Sequence, residues 1–288
     1  MPSAQAPLSS QDFGYVRDLV RLHSAIVLEP GKEWLVECRL LPMAYRLGVG
    51  SVGELVARLQ ALAFGQIHRQ VIDAITTNET SFFRDHFPFQ ALRTTVIPEL
   101  IKRREPDRRL HVWSAACSSG QEPYSIAMLL REEFPALSSW DIRVLATDIS
   151  AEVRERARDG LYTQMEVNRG LPASLLVKYF EKQGPRWKIH DSLRRAVEFR
   201  EVNLAATWPW LPPMDLILLR NVLIYFDVST KKRILERIRR LLRRDGYLFL
   251  GSAETTINID PSFEPVQIGK VVCYRLRGSP PGSQDAAP

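Results

Sequence analysis

The sequence predicts an α/β protein, a mostly parallel sheet with helices on both faces, behind a small all-helical N-terminal domain. Three observations point there. Residues 12–75 carry apolar side chains at helical spacing and nothing that alternates like a strand. From about residue 110, short apolar runs alternate with helical stretches, as in strand–helix–strand units. Several of those runs end in small or polar residues, where sheets of this kind gather their ligands.

Taken in order, Phe13, Val16, Leu19 and Val20 form a first helical stripe, and a second helix is expected over Glu33 to Leu47. Leu55, Leu59 and Leu62, then Ile67, Val71 and Ile75, mark a third and a fourth. Leu110–Ala115 reads as the first strand, followed by a helix with Pro123 in its first turn. Ile142–Thr147, Val197–Val202 and Asp215–Leu219 read as further strands, with a helix at Ala151–Arg158 after the first of these. Between Lys231 and Arg244 the stripe Ile234, Leu235, Ile238, Leu241 and Leu242 predicts a helix. Tyr247–Gly251 and Val266–Leu276 are expected to close the sheet as single strands, and Gly278 to Pro288 to form a disordered tail.

Composition narrows the class. Hydrophobic residues at 45% and charged residues at 25% are ordinary globular values and argue against extensive disorder. No apolar run is long enough for a membrane helix, and Met1 to Gln11 lacks the basic and apolar regions of a secretory signal. Cys38, Cys117 and Cys273 lie far apart, so neither a disulfide framework nor a metal site is expected, and the compartment predicted is the cytoplasm. The formal charge of +6 is unevenly distributed: residues 1–75 balance seven basic against seven acidic side chains, whereas Lys231–Arg244 holds eight basic residues and Glu236 alone. Such a run is most simply the solvated face of a helix packed on the sheet, with an anionic partner as the alternative.

The strand ends carry the functional signal. Ser114-Ala115-Ala116-Cys117-Ser118-Ser119-Gly120 follows the first strand, Asp148 the second, Asn203 the third and Arg220-Asn221 the fourth. A loop of small residues admits a ligand close to the backbone, and an acid after the second strand can accept hydrogen bonds from ribose hydroxyls. A pyrophosphate site would show several glycines and a free helix N-terminus, but here Gly120 is followed at once by Gln121-Glu122. A carboxylate there suits a cationic ligand such as a sulfonium. Loop chemistry alone leaves a methyltransferase, a nicotinamide or flavin enzyme and a non-catalytic fold all open.

Longer motifs choose among them. Thr76-Thr77-Asn78-Glu79-Thr80-Ser81-Phe82-Phe83-Arg84-Asp85 resembles the T-T-N-x-T-x-F-F-R-[DE] segment of the chemotaxis receptor methyltransferases, the CheR family. Val112 to Ser125, reading VWSAACSSGQEPYS, resembles that family's W-S-A-x-x-S-T-G-E-E-P-Y-S stretch, and Leu219 to Asp227 its C-R-N-V-x-I-Y-F-D strand end. The resemblance spans about residues 12–276 with the motifs in the family's order. It implies a class I, Rossmann-like S-adenosylmethionine-dependent methyltransferase domain over residues 91–277, with a small insertion subdomain at about 160–200. A helical domain at 10–76 and a linker at 77–90 would precede it. The implied reaction is methyl transfer to glutamates on the cytoplasmic helical bundle of chemoreceptors, leaving S-adenosylhomocysteine, by a monomer with no nucleic-acid partner and no membrane insertion.

Carried over by position, the cofactor contacts are Asn78, Thr80, Arg84, Glu122, Asp148, Asn203, Leu204, Arg220 and Asn221. Arg84 and Tyr225 are the expected catalytic residues, Arg84 because a guanidinium fork matches a carboxylate. The plainer alternatives are an ion pair of Arg84 with Asp85, a core position for Tyr225 and a capping role for Asn221. Phe82, Phe83 and Trp113 read as packing, and Cys117 as a small loop filler. Gln121, Ser119 and Leu219 replace the family's Glu, Thr and Cys. The segment 39–46 carries only Arg39 and Arg46 and contains Pro42, so it lacks the markedly basic helix of several relatives. The stretch Lys182 to Lys188 is shorter than the loop by which some relatives grip a receptor's C-terminal pentapeptide, which implies a pentapeptide-independent enzyme. A nucleic-acid methyltransferase would show an Asn/Asp-Pro-Pro-aromatic motif where Arg220-Asn221-Val222-Leu223 stands. A catalytically degenerate scaffold is the remaining alternative.

Overall fold

The computed structural model describes residues Leu8–Gly278. The tail expected from Gly278 onward therefore lies, apart from that glycine, outside the described residues. The chain divides into two compact units, one of Met1–Thr77 with Tyr225–Thr230, the other of Asn78–Ile224 with Lys231–Pro288.

The first unit is helical. α1 (Ser10–Ser24) starts where the Ser9 side chain accepts from the Asp12 amide, and α3 (Val52–Gln60) starts at Ser51 in the same way. Between them α2 (Glu33–Arg46) runs through Pro42, and α4 (Gln66–Ile75) completes the set. Phe13, Val16, Val20, Val36, Leu40, Leu55, Leu59, Val71 and Ile75 form one core. Leu62 is not part of it: α3 ends at Gln60, and Leu62 stands 48% exposed.

The second unit opens with a helical stretch, α5 (Phe87–Ala91), a π turn at Leu92–Val96 and α6 (Ile97–Arg104). Its main sheet takes β1 (Arg109–Ala115), β2 (Asp141–Asp148), β6 (Val197–Glu201), β7 (Met214–Leu219), β8 (Leu242–Leu250), β9 (Phe263–Ile268) and β10 (Val271–Leu276). The spatial order is β6-β2-β1-β7-β8-β10-β9, and the first five strands are parallel. α7 (Gln121–Glu133), α8 (Ala151–Asp159) and α9 (Val228–Leu241) provide crossovers. The sheet is therefore mostly parallel and Rossmann-like. Every residue of β7 is buried, as expected of a central parallel strand covered on both faces. A second, antiparallel sheet in the order β3-β5-β4 takes β3 (Leu161–Thr163), β4 (Phe180–Gln183) and β5 (Arg186–Ile189).

Two elements differ from expectation. Val266–Leu276 is not one strand but most of a hairpin, β9 and β10, turned at Gly269-Lys270 with Gly269 at φ +56°. A positive φ at the first turn residue is what a two-residue hairpin requires. The basic helix also stops at Leu241, because Leu242 already pairs with Met214 of β7. Sheet pairing overrides the helical period there, and Arg243 and Arg244 belong to β8.

Candidate active site

The topology brings four strand ends together. Ala115 of β1 lies in register with Thr147 of β2 and with Leu219 of β7, and Asp148 of β2 with Glu201 of β6. The order reverses beside β1, whose neighbours lead to β2 and β6 on one side and to β7 and β8 on the other. A ligand crevice forms at such a point.

Backbone strain marks the same place. Among the described residues, the non-glycine positions in the left-handed region include Phe83, Asp85, His86, Ala116, Ser118 and Asn221. Each costs on the order of 1 kcal/mol for a residue bearing a Cβ, and such costs concentrate where a site holds its shape. Gly120 is obligatory for a different reason. Its φ is +93°, and a Cβ there would stand 2.9 Å from the Ala157 Cβ and 3.2 Å from the Tyr162 hydroxyl.

Asp148 organises the loop after β1. Its Oδ2 accepts the Ser118 amide at 2.8 Å and its Oδ1 the Ser150 amide at 3.0 Å. One lone pair per oxygen remains for other donors. Burial raises the Asp148 carboxyl above its ordinary range, opposed by the Ser150 and Ser118 amides and the Arg154 guanidinium. With the folded value above the unfolded one, this group favours the fold below the usual carboxylate pKa, and that contribution is lost as pH rises through the raised value. A ligand donating to the ionised form should then lose affinity on acidification sooner than one held by an exposed carboxylate. Arg154 itself donates to the carbonyls of Asp148 and Ile149 and to Glu201, tying β2 to β6.

Glu122, at the start of α7, does not face the crevice as a bare negative charge. Its Oε1 accepts from Ser114 at 2.7 Å, and its Oε2 accepts from Arg220 at 2.8 Å. Arg220 also donates to the Arg84 carbonyl at 3.0 Å and to Asp85 at 2.6 Å, with its side chain 1% exposed. One guanidinium thus fastens the linker to α7 and to the end of β7. Asp85 pairs with Arg220 rather than with Arg84. Among the described residues the buried Arg220 Nε has no partner, which makes it a polar atom that a ligand can satisfy.

The other expected residues have partners of their own. The Asn78 carbonyl accepts from Ser118 Oγ at 2.8 Å, and Thr80 is half-buried in the same linker. Arg84 donates to the Glu79 carbonyl at 2.8 Å. The Asn203 side chain accepts from the Ala205 amide at 3.0 Å, and Leu204 is buried with its carbonyl accepting from Trp208 at 3.0 Å. Asn221 sits at φ +59°. Phe82 and Trp113 are fully buried, as packing residues should be. Cys117 is buried, and burial, with Asp148 and Glu122 nearby, pushes its thiol well up, against any role as a thiolate. Tyr225 falls in the unit of N-terminal helices, where its carbonyl accepts the Val27 amide at 2.9 Å.

Comparison with known families decides between the chemistries left open. The SAM binding domain of the CheR methyltransferases matches residues 78–272, and the all-alpha domain of the same family matches residues 11–76. This chain belongs to the CheR methyltransferase family. The chemotaxis protein methyltransferase Cher2 of Pseudomonas putida is 41% identical over 92% of this chain and 98% of its own length. Chemotaxis protein methyltransferase 1 of Pseudomonas aeruginosa is 40% identical over 93% of this chain and 99% of its own, and the Vibrio parahaemolyticus relative 35% identical over 94% and 98%. This CheR protein is an S-adenosylmethionine-dependent methyltransferase. Its residues fit that cofactor in two respects: Asp148 has lone pairs for a ribose diol, and the buried Arg220 Nε offers an N–H to an acceptor.

Two features escaped the sequence reading. Glu254 accepts backbone amides at the ends of both β7 and β8, although no motif marked it. Arg154 was visible only as one charge in a charged helix; what singles it out, burial at 6% exposure, needs the fold.

Proposed function

We propose that this enzyme methylates glutamate side chains on the cytoplasmic helical bundle of chemoreceptors, tuning sensory adaptation, and works as a monomer in the cytoplasm. The proposed organisation is a helical domain over 10–76, a linker over 77–90 and a catalytic domain over 91–277. Among the described residues no helix is long and apolar enough to cross a membrane, and no cluster of His, Cys, Asp and Glu is placed to hold a metal.

The observation that carries the reading is Arg84. Its own carbonyl is held by Arg220 after the end of β7, and among the described residues its half-buried side chain donates to one backbone carbonyl, which leaves the rest of its donor fork for a carboxylate. When bound, S-adenosylmethionine supplies a methyl group on a sulfonium, open to in-line displacement. A glutamate is already an anion at neutral pH, so the protein need not supply a general base. Its tasks are alignment, which can contribute on the order of 7–11 kcal/mol, and removal of water from the nucleophile. Asn78, Thr80, Arg84, Glu122, Asp148, Asn203, Leu204, Arg220 and Asn221 are the residues proposed to hold the cofactor. Arg84 is assigned to the cofactor carboxylate, the incoming glutamate or both, and Tyr225 to orienting the acceptor or lining the methyl channel.

The test is transfer of labelled methyl from S-adenosylmethionine to a receptor's cytoplasmic fragment, followed by mild alkali. Glutamyl methyl esters release their label as methanol, whereas N-methyl groups keep it. Alkali-stable label, or none, contradicts the proposal. Asp148→Ala should weaken S-adenosylhomocysteine binding by about tenfold in calorimetry, since a ribose diol loses its charged acceptor. An unchanged affinity would remove Asp148 from the ribose site. The β4–β5 turn consists of Gly184 and Pro185 alone. A receptor C-terminal pentapeptide is therefore expected not to bind in a direct titration, and saturable binding would refute independence of that tether.

A further inference from the structure

We infer that Glu254 is a positioning residue of the methyl-transfer site, setting the turn that carries Arg220 and Asn221 without touching either substrate. The inference rests on the cofactor site proposed above. Glu254 lies just past β8, in a turn closed by its own amide donating to the Gly251 carbonyl at 2.9 Å. Its Oε2 accepts the Asn221 amide at 2.8 Å and the Gly251 amide at 2.6 Å. Its Oε1 accepts the Val222 amide at 2.8 Å and the Ile224 amide at 3.3 Å.

A carboxylate has two lone pairs on each oxygen, and here backbone donors meet all of them. No capacity remains for a ligand, so any influence on the reaction passes through the chain segments it holds. Those segments matter. The first contains Asn221, held at φ +59° directly after Arg220, the node of the linker, α7 and β7. The second is Gly251, where a Cβ would stand 2.7 Å from both Asn221 Nδ2 and Glu254 Oε2. Glu254 and Gly251 therefore form one fitted contact behind Asn221. The negative charge also satisfies a row of N–H dipoles where β7 turns away from the sheet, an arrangement that a neutral side chain reproduces only in part.

The experiment measures S-adenosylhomocysteine affinity and steady-state kinetics for Glu254→Gln and Glu254→Asp in the full chain, with thermal unfolding recorded alongside. Glutamine keeps the length but presents an NH2 group to two of the amides, so cofactor Kd and KM should rise about tenfold. Aspartate keeps the charge but falls one methylene short, and its loss should be smaller. A purely structural role gives a different pattern: a smaller active fraction lowers kcat and leaves KM and Kd unchanged. Unchanged Kd and KM in both variants, or a fall in kcat alone, overturns the inference. If Glu254→Gln does not fold, Gly251→Ala serves as the second variant, displacing Asn221 sterically with the carboxylate retained, and a wild-type Kd there is equally fatal. Should the wild-type chain itself fail to bind S-adenosylhomocysteine, it is the site reading that fails; wild-type binding with unaffected variants sinks only the role of Glu254.

Discussion

Arg84→Ala is expected to lower methyl transfer to a cognate receptor by at least about a hundredfold while unfolding stays cooperative. The two halves of that expectation have separate causes. Among the described residues the side chain makes one hydrogen bond, to the Glu79 carbonyl, so the fold loses little when it is removed. Arg220 holds the linker through the Arg84 carbonyl and the Asp85 carboxylate, both of which the alanine variant keeps. What disappears is the guanidinium fork assigned to carboxylate alignment. Arg84→Lys, which keeps the charge but loses the paired donors, should recover only part of the activity. Wild-type turnover in the alanine variant would remove Arg84 from the mechanism, and loss of cooperative unfolding would show that its role is structural.

The second large effect is on stability and lies away from the crevice. Arg104 donates to Asp215 at 2.5 Å and to both oxygens of Asp245 at 2.5 and 2.8 Å. Asp215 is 1% exposed and also accepts the His111 amide at 2.8 Å. Arg104→Met should cost about 3–5 kcal/mol, because it strands the buried Asp215 charge after removing its closest cation. Arg243, 3.3 Å from the same oxygen but without hydrogen-bond geometry, places the expectation toward the lower end. A pH series adds a signature. Arg104 holds the Asp245 carboxyl below its ordinary range, so this pair stabilises the fold above the usual carboxylate pKa and loses that contribution as pH falls through the lowered value. The wild-type protein should therefore lose stability more steeply than the variant as pH falls below about 4. Denaturant unfolding at neutral pH and in mild acid measures both; equal stability of the two proteins would contradict the assignment.

Much of the fold was legible in the sequence because its strands announce themselves twice. Runs such as Val112–Ala115 and Asp215–Leu219 are buried on both faces, and each ends in residues of a different chemical kind. The β9–β10 hairpin was missed because Val266–Leu276 is apolar enough to pass for one strand, and only Gly269 betrays the turn. The helix boundary at Leu241 was missed because Leu242 continues the helical stripe while its backbone pairs with Met214. At the site, the sequence supplied residue types and order but not who partners whom. Glu122 was expected to face a cation as a free carboxylate, yet Arg220 neutralises it from 98 residues away in the chain. The ion pair considered for Arg84 and Asp85 forms instead between Arg220 and Asp85. Glu254 left no trace because its partners are backbone amides, which carry no sequence signal.

A crystal structure of the full chain grown with S-adenosylhomocysteine tests the central claim most directly. The account predicts the nucleoside lying across the ends of β1, β2, β6 and β7, its ribose hydroxyls on Asp148 and its carboxylate on Arg84. An empty crevice, or a nucleoside bound elsewhere with Asp148 and Arg84 untouched, would contradict it.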